Sequence, residues 1–181
     1  MKLKSLNLFK PLVLFLFIFL LGFVFANVEI QIEGPNGWAT GLPTWRLERN
    51  WVVDSFWGGR PVTGYHVWVF FFMALAFHLP MLVSWQFSLK LEGRLLSCLA
   101  FFWIIEDFFW FALNPAFGLS RLTPEFAWWH KRWILGVPSD YIVFFLIGGA
   151  VYLYSFSERK GNRKPRKADG SSPAAVSTVS E

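Results

Sequence analysis

Four apolar runs, each long enough to cross a bilayer, constrain this chain more than any short motif in it. Hydrocarbon about 30 Å thick, at roughly 1.5 Å of rise per helical residue, needs a span of about 17–25 residues. The runs fall at about 11–27 ("PLVLFLFIFLLGFVFAN"), 64–86, 95–114 and 140–156 ("DYIVFFLIGGAVYLYSF"). Every backbone polar group in lipid must be satisfied within its own segment, so the runs are predicted to be helices. The expected fold is an all-α membrane protein: four transmembrane helices with a Trp-rich outer loop and a short interfacial helix. Residues 1–157 would form a single integral membrane domain. Residues 158–181 are basic, then polar, with too little apolar content to fold, and read as a disordered tail.

Composition supports the bilayer. Of the 181 residues, 55% are hydrophobic and only 16% charged, where a soluble domain carries about 25% charge. Eleven Lys and Arg residues (Lys2, Lys4, Lys10, Lys90, Arg94 and six after Glu158) fall on one side of the spans, and six (Arg46, Arg49, Arg60, Arg121, Lys131, Arg132) on the other. The positive-inside rule then places both termini in the cytoplasm, in a plasma or inner membrane. The Lys-rich start and "VFA" before Asn27 also fit a cleavable signal peptide. An uncleaved first span is the preferred reading, and either leaves the later topology unchanged. The net charge of +5 concentrates in the tail. It suits anionic inner-leaflet lipid and a topology signal, and no nucleic-acid face is expected. The single cysteine, Cys98, rules out an intrachain disulfide.

Two outer segments join the spans. In 28–63, Val28, Ile30 and Ile32 alternate with Glu29, Gln31 and Glu33, which predicts a short strand. In 115–139, Thr123 as N-cap, Pro124 and Gly136 predict a helix over 124–135. Phe126, Trp129, His130 and Trp133 would share its membrane-facing side. Seven of the eleven Trp residues lie on the outer side, which suggests an aromatic-walled vestibule.

Inside span three, "FFWIIEDFFW" sets Glu106 beside Asp107 with no Lys or Arg between 95 and 120. Intramembrane acids are costly and mark functional sites. Ala100, Asp107 and Asn114 repeat every seven residues, so Asp107 is expected in the bundle interior, with Glu106 about 100° away toward another helix. Gly148–Gly149 in span four should allow tight packing on span three, and Pro80 should kink span two. Candidate partners for the acids are His78 in span two, His66 and Tyr65 at its start, Asn114, His130, and an arginine (Arg46, Arg49 or Arg60) folded in from the loop.

The candidate catalytic residues are therefore Asp107, Glu106, His78 and His130. Asn114, Tyr65, His66, Trp103, Trp110 and Trp129 are candidate binding residues. The function read from them is a buried acidic and histidine site, open toward the outer leaflet, that binds a lipid-soluble or lipid-linked substrate or acts on it by acid–base chemistry. Two alternatives remain. One is a non-catalytic assembly subunit that pairs its acids with another membrane protein. The other is a two-His-one-carboxylate site for a divalent metal, although HxxxH, HxxH and CxxC spacings are lacking and the sequence requires no cofactor. Walker, GxGxxG and GxSxG motifs are also missing, so nucleotide-driven and α/β-hydrolase chemistry are unsupported.

Overall fold

The computed structural model describes residues 8–48, 51 and 60–157. Four helices carry the fold: α1 (Phe9–Glu33), α2 (Gly64–Ser84), α3 (Leu89–Leu113) and α4 (Ser139–Ser155). The first three are long and apolar enough to cross a membrane; α4 has 17 residues and is shorter. The molecule is thus mostly helical, as an all-α membrane protein requires. Large apolar side chains such as Leu16, Phe17, Phe72, Leu75 and Leu146 lie exposed on the helix surfaces. That pattern fits an apolar solvent, where helix surfaces need not be polar.

Local chemistry sets the helix ends. Thr63 caps α2, its hydroxyl accepting from the His66 amide at 3.2 Å, and Ser88 caps α3 through the Leu91 amide at 3.1 Å. Pro80 is accommodated within a continuous α2. α1 stops at Gly34, whose φ of +62° suits glycine. The Gly34 carbonyl accepts from Asn114 Nδ2 at 2.9 Å, so the residue ending α3 also closes α1.

The helix α3 is central. α1 and α4 both pack along it, and α2 joins through Met73 and Phe77, which share a core with Cys98, Phe101 and Phe102. A second core under the loops holds Ala26, Ile30, Trp38, Phe111 and Trp129. At Gly22 a Cβ would run into Ile105 and the Glu106 backbone, so α1 lies tightly on α3 there. At Gly148 an added Cβ would find ordinary contacts at 3.6 Å or more, and at Gly149 it would meet nothing. Gly148 thus packs on α3 beside Ala100 and Phe101, as expected, but the tight glycine contacts between helices are at Gly22 on α1 and Gly93 on α3.

Two further expectations are corrected. Residues 28–33 are not a strand but the last turns of α1. The helical period wins because Ala26, Glu29, Ile30 and Glu33 form one buried face, whereas alternation would have split it. Residues 124–135 form no helix. They run as turns into a hairpin of β3 (Trp133–Ile134) and β4 (Val137–Pro138), closed by Leu135 and Gly136 at positive φ. A second small ladder pairs β1 (Arg46–Leu47) with β2 (Val62–Thr63).

Candidate functional site

The ends of α1 and α3 and the starts of α2 and α4 meet at one end of the bundle, around a cavity of about 420 Å³. α1 contributes Glu29 and Glu33, which helical spacing puts on one face. α3 contributes Trp103, Glu106, Asp107 and Trp110; α2 adds His66 and Phe70. The connections supply Trp38, Arg60, Trp129 and His130, and α4 supplies Asp140, Tyr141 and Phe144.

Glu106 and Asp107 both reach this cavity. The expected preference for Asp107 is reversed in depth: Glu106 is 3% exposed, while the Asp107 side chain is 26% exposed. Because α3 is covered on two sides, two directions about 100° apart are both interior. Glu106 turns toward α1 and meets the Glu29 carboxyl. Asp107 turns toward α4.

On the Asp107 side, three side chains are joined through two carboxylates. His130 Nε2 is 3.0 Å from Asp107 Oδ2, and His130 Nδ1 is 3.1 Å from Asp140 Oδ2. Arg60 Nη2 donates to Asp140 Oδ2 at 3.1 Å, and the Tyr141 hydroxyl donates to Asp107 Oδ2. Both imidazole nitrogens thus face carboxylate acceptors, which requires both to carry a proton. Burial opposes that charge, but Asp107 and then Asp140 outweigh it and hold the His130 pKa up at about 9. His130 and Arg60 together balance Asp107 and Asp140. The Trp133 indole N–H donates to the His130 carbonyl at 2.8 Å and fixes this segment.

The Glu29 side is built differently. Tyr65 Oη donates to Glu29 Oε1 at 2.8 Å, and the Ala39 amide donates to Glu33 Oε1 at 2.5 Å. His66 Nε2 lies 3.9 Å from Glu33 Oε1. The His66 ring stacks on Trp38 at 4.0 Å with planes 20° apart, and the Arg60 guanidinium lies 5.1 Å from the Trp38 ring centre. Trp38 and Ala39 both have left-handed backbone, with φ of 53° and 52°. Such non-glycine residues persist only where their surroundings over-determine them. Here the Trp38 indole N–H is tied to the Pro61 carbonyl at 2.8 Å, and the Ala39 carbonyl accepts from Arg46.

Of the sequence candidates, Asp107, Glu106, His130, His66, Trp103, Trp110 and Trp129 line the cavity. Tyr65 stands behind Glu29 and positions it. Asn114 is a structural cap, bonded to Gly34 and Ala116. His78 is not with the acids: it bonds the Ala74 carbonyl at 2.7 Å and Glu92 at 3.1 Å, toward the other end of α2. Of the arginines, Arg60 enters the site, Arg46 holds the Ala39 turn, and Arg49 lies outside the described residues. Glu29, Glu33, Trp38 and Asp140 were missed as site residues. The spacing of Ala26, Glu29, Ile30 and Glu33 was the available signal for the first pair. Among the described residues, no group of three or more His, Cys, Asp or Glu side chains is arranged to hold a metal ion.

The fold and site define a helical protein of integral-membrane type with an acidic, aromatic-walled cavity at one end of its bundle. Comparison with known protein families, curated proteins and solved structures finds no match to this chain.

Proposed function

We propose that this is a four-span protein, with both termini cytoplasmic, whose cavity takes a lipid-soluble or lipid-linked molecule from the outer leaflet and acts on it by acid–base chemistry. One observation carries the reading. Phe144 belongs both to the wall that holds Asp107 and to the outer apolar surface, where it is 50% exposed. In this reading a molecule dissolved in the bilayer reaches the carboxyl groups past Phe144. Aromatic walls with a few convergent polar groups are the usual make-up of a small-molecule site.

In this reading Asp107 exchanges the proton: Asp107 and Asp140 are equally exposed at 26%, but Asp140 is held in an ion pair with Arg60. His130 is a poor base, being already protonated between two carboxylates; it holds Asp107 in place and balances its charge. Tyr141 donates to the same Asp107 oxygen and fixes its orientation. Removing a general acid or base costs about 10²–10⁴-fold in rate. In a complementation assay, Asp107→Asn should abolish function while membrane insertion and expression persist. If Asp107→Asn and Glu106→Gln both keep full activity, the acid-site reading fails and a partner-subunit role takes its place.

A further inference from the structure

Two buried polar atoms in the cavity wall meet no partner among the described residues: Glu106 Oε1 and Trp110 Nε1. Both residues are 3% exposed, and they lie one helical turn apart on α3. An unmet buried donor or acceptor costs about 1–3 kcal/mol, so native proteins rarely leave one without a partner or ligand. The pair asks for opposite things. Glu106 is an acceptor needing a donor; the Trp110 indole is a donor needing an acceptor.

Charge points the same way. Asp107 and Asp140 are balanced by His130 and Arg60, but Glu29, Glu33 and Glu106 pair with no Lys or Arg among the described residues. Glu29 and Glu106 face each other, and two facing carboxyl groups require a proton or a cation between them. The donor set does not assemble a metal site. Trp103, which lines the cavity with the glutamates, favours an organic cation, since indole faces attract ammonium groups; the Trp38 ring is already engaged by His66 and Arg60.

We propose that the glutamate half of the cavity binds the protonated amine of an amphiphile bearing an oxygen acceptor beside that amine, an amino-alcohol type of head. The ammonium N–H groups donate to Glu106 and Glu29, the neighbouring oxygen accepts from Trp110, and the apolar tail leaves past Phe144 into lipid. This rests on the cavity being the working site and names the class of molecule it takes. A lipid headgroup and a free amphiphilic amine share this chemistry.

The test uses full-length protein in nanodiscs of phosphatidylcholine and phosphatidylglycerol, titrated with N-decylethanolamine, decylamine or decan-1-ol and read by tryptophan emission. Saturable binding is expected for the two amines and not for decanol. Glu106→Gln should weaken both amines about tenfold or more, as loss of a hydrogen bond to a charged group predicts. Trp110→Phe should weaken N-decylethanolamine about threefold and leave decylamine unchanged. If Glu106→Gln lowers helical content, Glu29→Gln serves instead, with the same weakening of both amines expected. Decanol saturating at the amine concentrations, or amine affinity unmoved by the glutamine variant, overturns the inference while leaving a cavity for lipid-soluble molecules. Failure of all three probes overturns the cavity reading as well. Phosphatidylethanolamine added to the discs separates the sources: competition assigns the site to a lipid headgroup, and no competition to a free amine.

Discussion

His130 shows how a single residue sets the state of the site. Its ordinary pKa of 6.5 is raised to about 9 in the fold, against burial, by Asp107 and Asp140. Below pH 6.5 the imidazole is charged whether the chain is folded or not, and its ion pairs contribute in full. Between pH 6.5 and about 9 folding must hold a proton that the unfolded chain gives up, so the contribution shrinks, and above pH 9 it is lost. The effect is on the order of 3 kcal/mol. Thermal unfolding in detergent should therefore show wild type well above His130→Gln at pH 6, with the gap closing by pH 9.5. A gap independent of pH over that range would mean that His130 is held neutral, and the double donation to Asp107 and Asp140 would be misassigned. His130 was readable in the sequence as a candidate, but its state was not. The two carboxylates come from residues 23 positions before it and 10 after it, and only the fold brings them to opposite sides of one ring.

Among the elements, α3 explains most of what the sequence showed and most of what it hid. Its two acids stood out because an apolar run leaves them nothing to pair with, and that signal does not depend on tertiary structure. Which acid faces inward did depend on it: α3 has a helix on each side, so the one-sided stripe of Ala100, Asp107 and Asn114 undercounted the buried directions. The same error appears in α1, where alternation over 28–33 matched a strand while the helical face carried Glu29 and Glu33 into the cavity. The 124–135 segment had helix-start and helix-stop residues, but Trp129 and Trp133 found a core made by α1, α3 and Trp38, and turns satisfied that better than an interfacial helix. The α1–α3 approach itself is testable. Gly22 lies against Ile105 and the backbone of Glu106, so Gly22→Ala must push the helices apart, beneath the cavity floor. The expected cost is about 1–3 kcal/mol, as for overpacking, even though alanine is the better helix former. Gly148→Ala, with room for its methyl group, should be neutral or slightly stabilising. Equal thermal stability of the two variants would show that the helices do not touch at Gly22.

For the molecule as a whole, α4 sets the number of membrane crossings. With 17 residues it spans about 25 Å, short of the roughly 30 Å hydrocarbon core. Two arguments favour crossing. α4 packs along the length of α3, tied at its start to Asp107 through Tyr141, and near its end to Arg94 through Ser155 and to the Pro11 carbonyl through Tyr152. A helix bound at both ends to spanning partners shares their depth. The charge bias also favours an even number of spans, because Lys2, Lys4 and Lys10 and the basic tail can share one side only if the chain crosses back. Single-cysteine labelling decides it, in a Cys98→Ser background that removes the one native thiol. A membrane-impermeant maleimide on intact cells should label Ser120→Cys, in the connection beside the cavity, and should leave Gln86→Cys and Ser180→Cys unlabelled until the membrane is opened. Labelling of Ser180→Cys in intact cells would take the tail to the cavity side and reduce the fold to three crossings. The cavity would then be closed on its α4 side by a helix lying at the surface, and entry past Phe144 would be from the headgroup region instead of from the hydrocarbon.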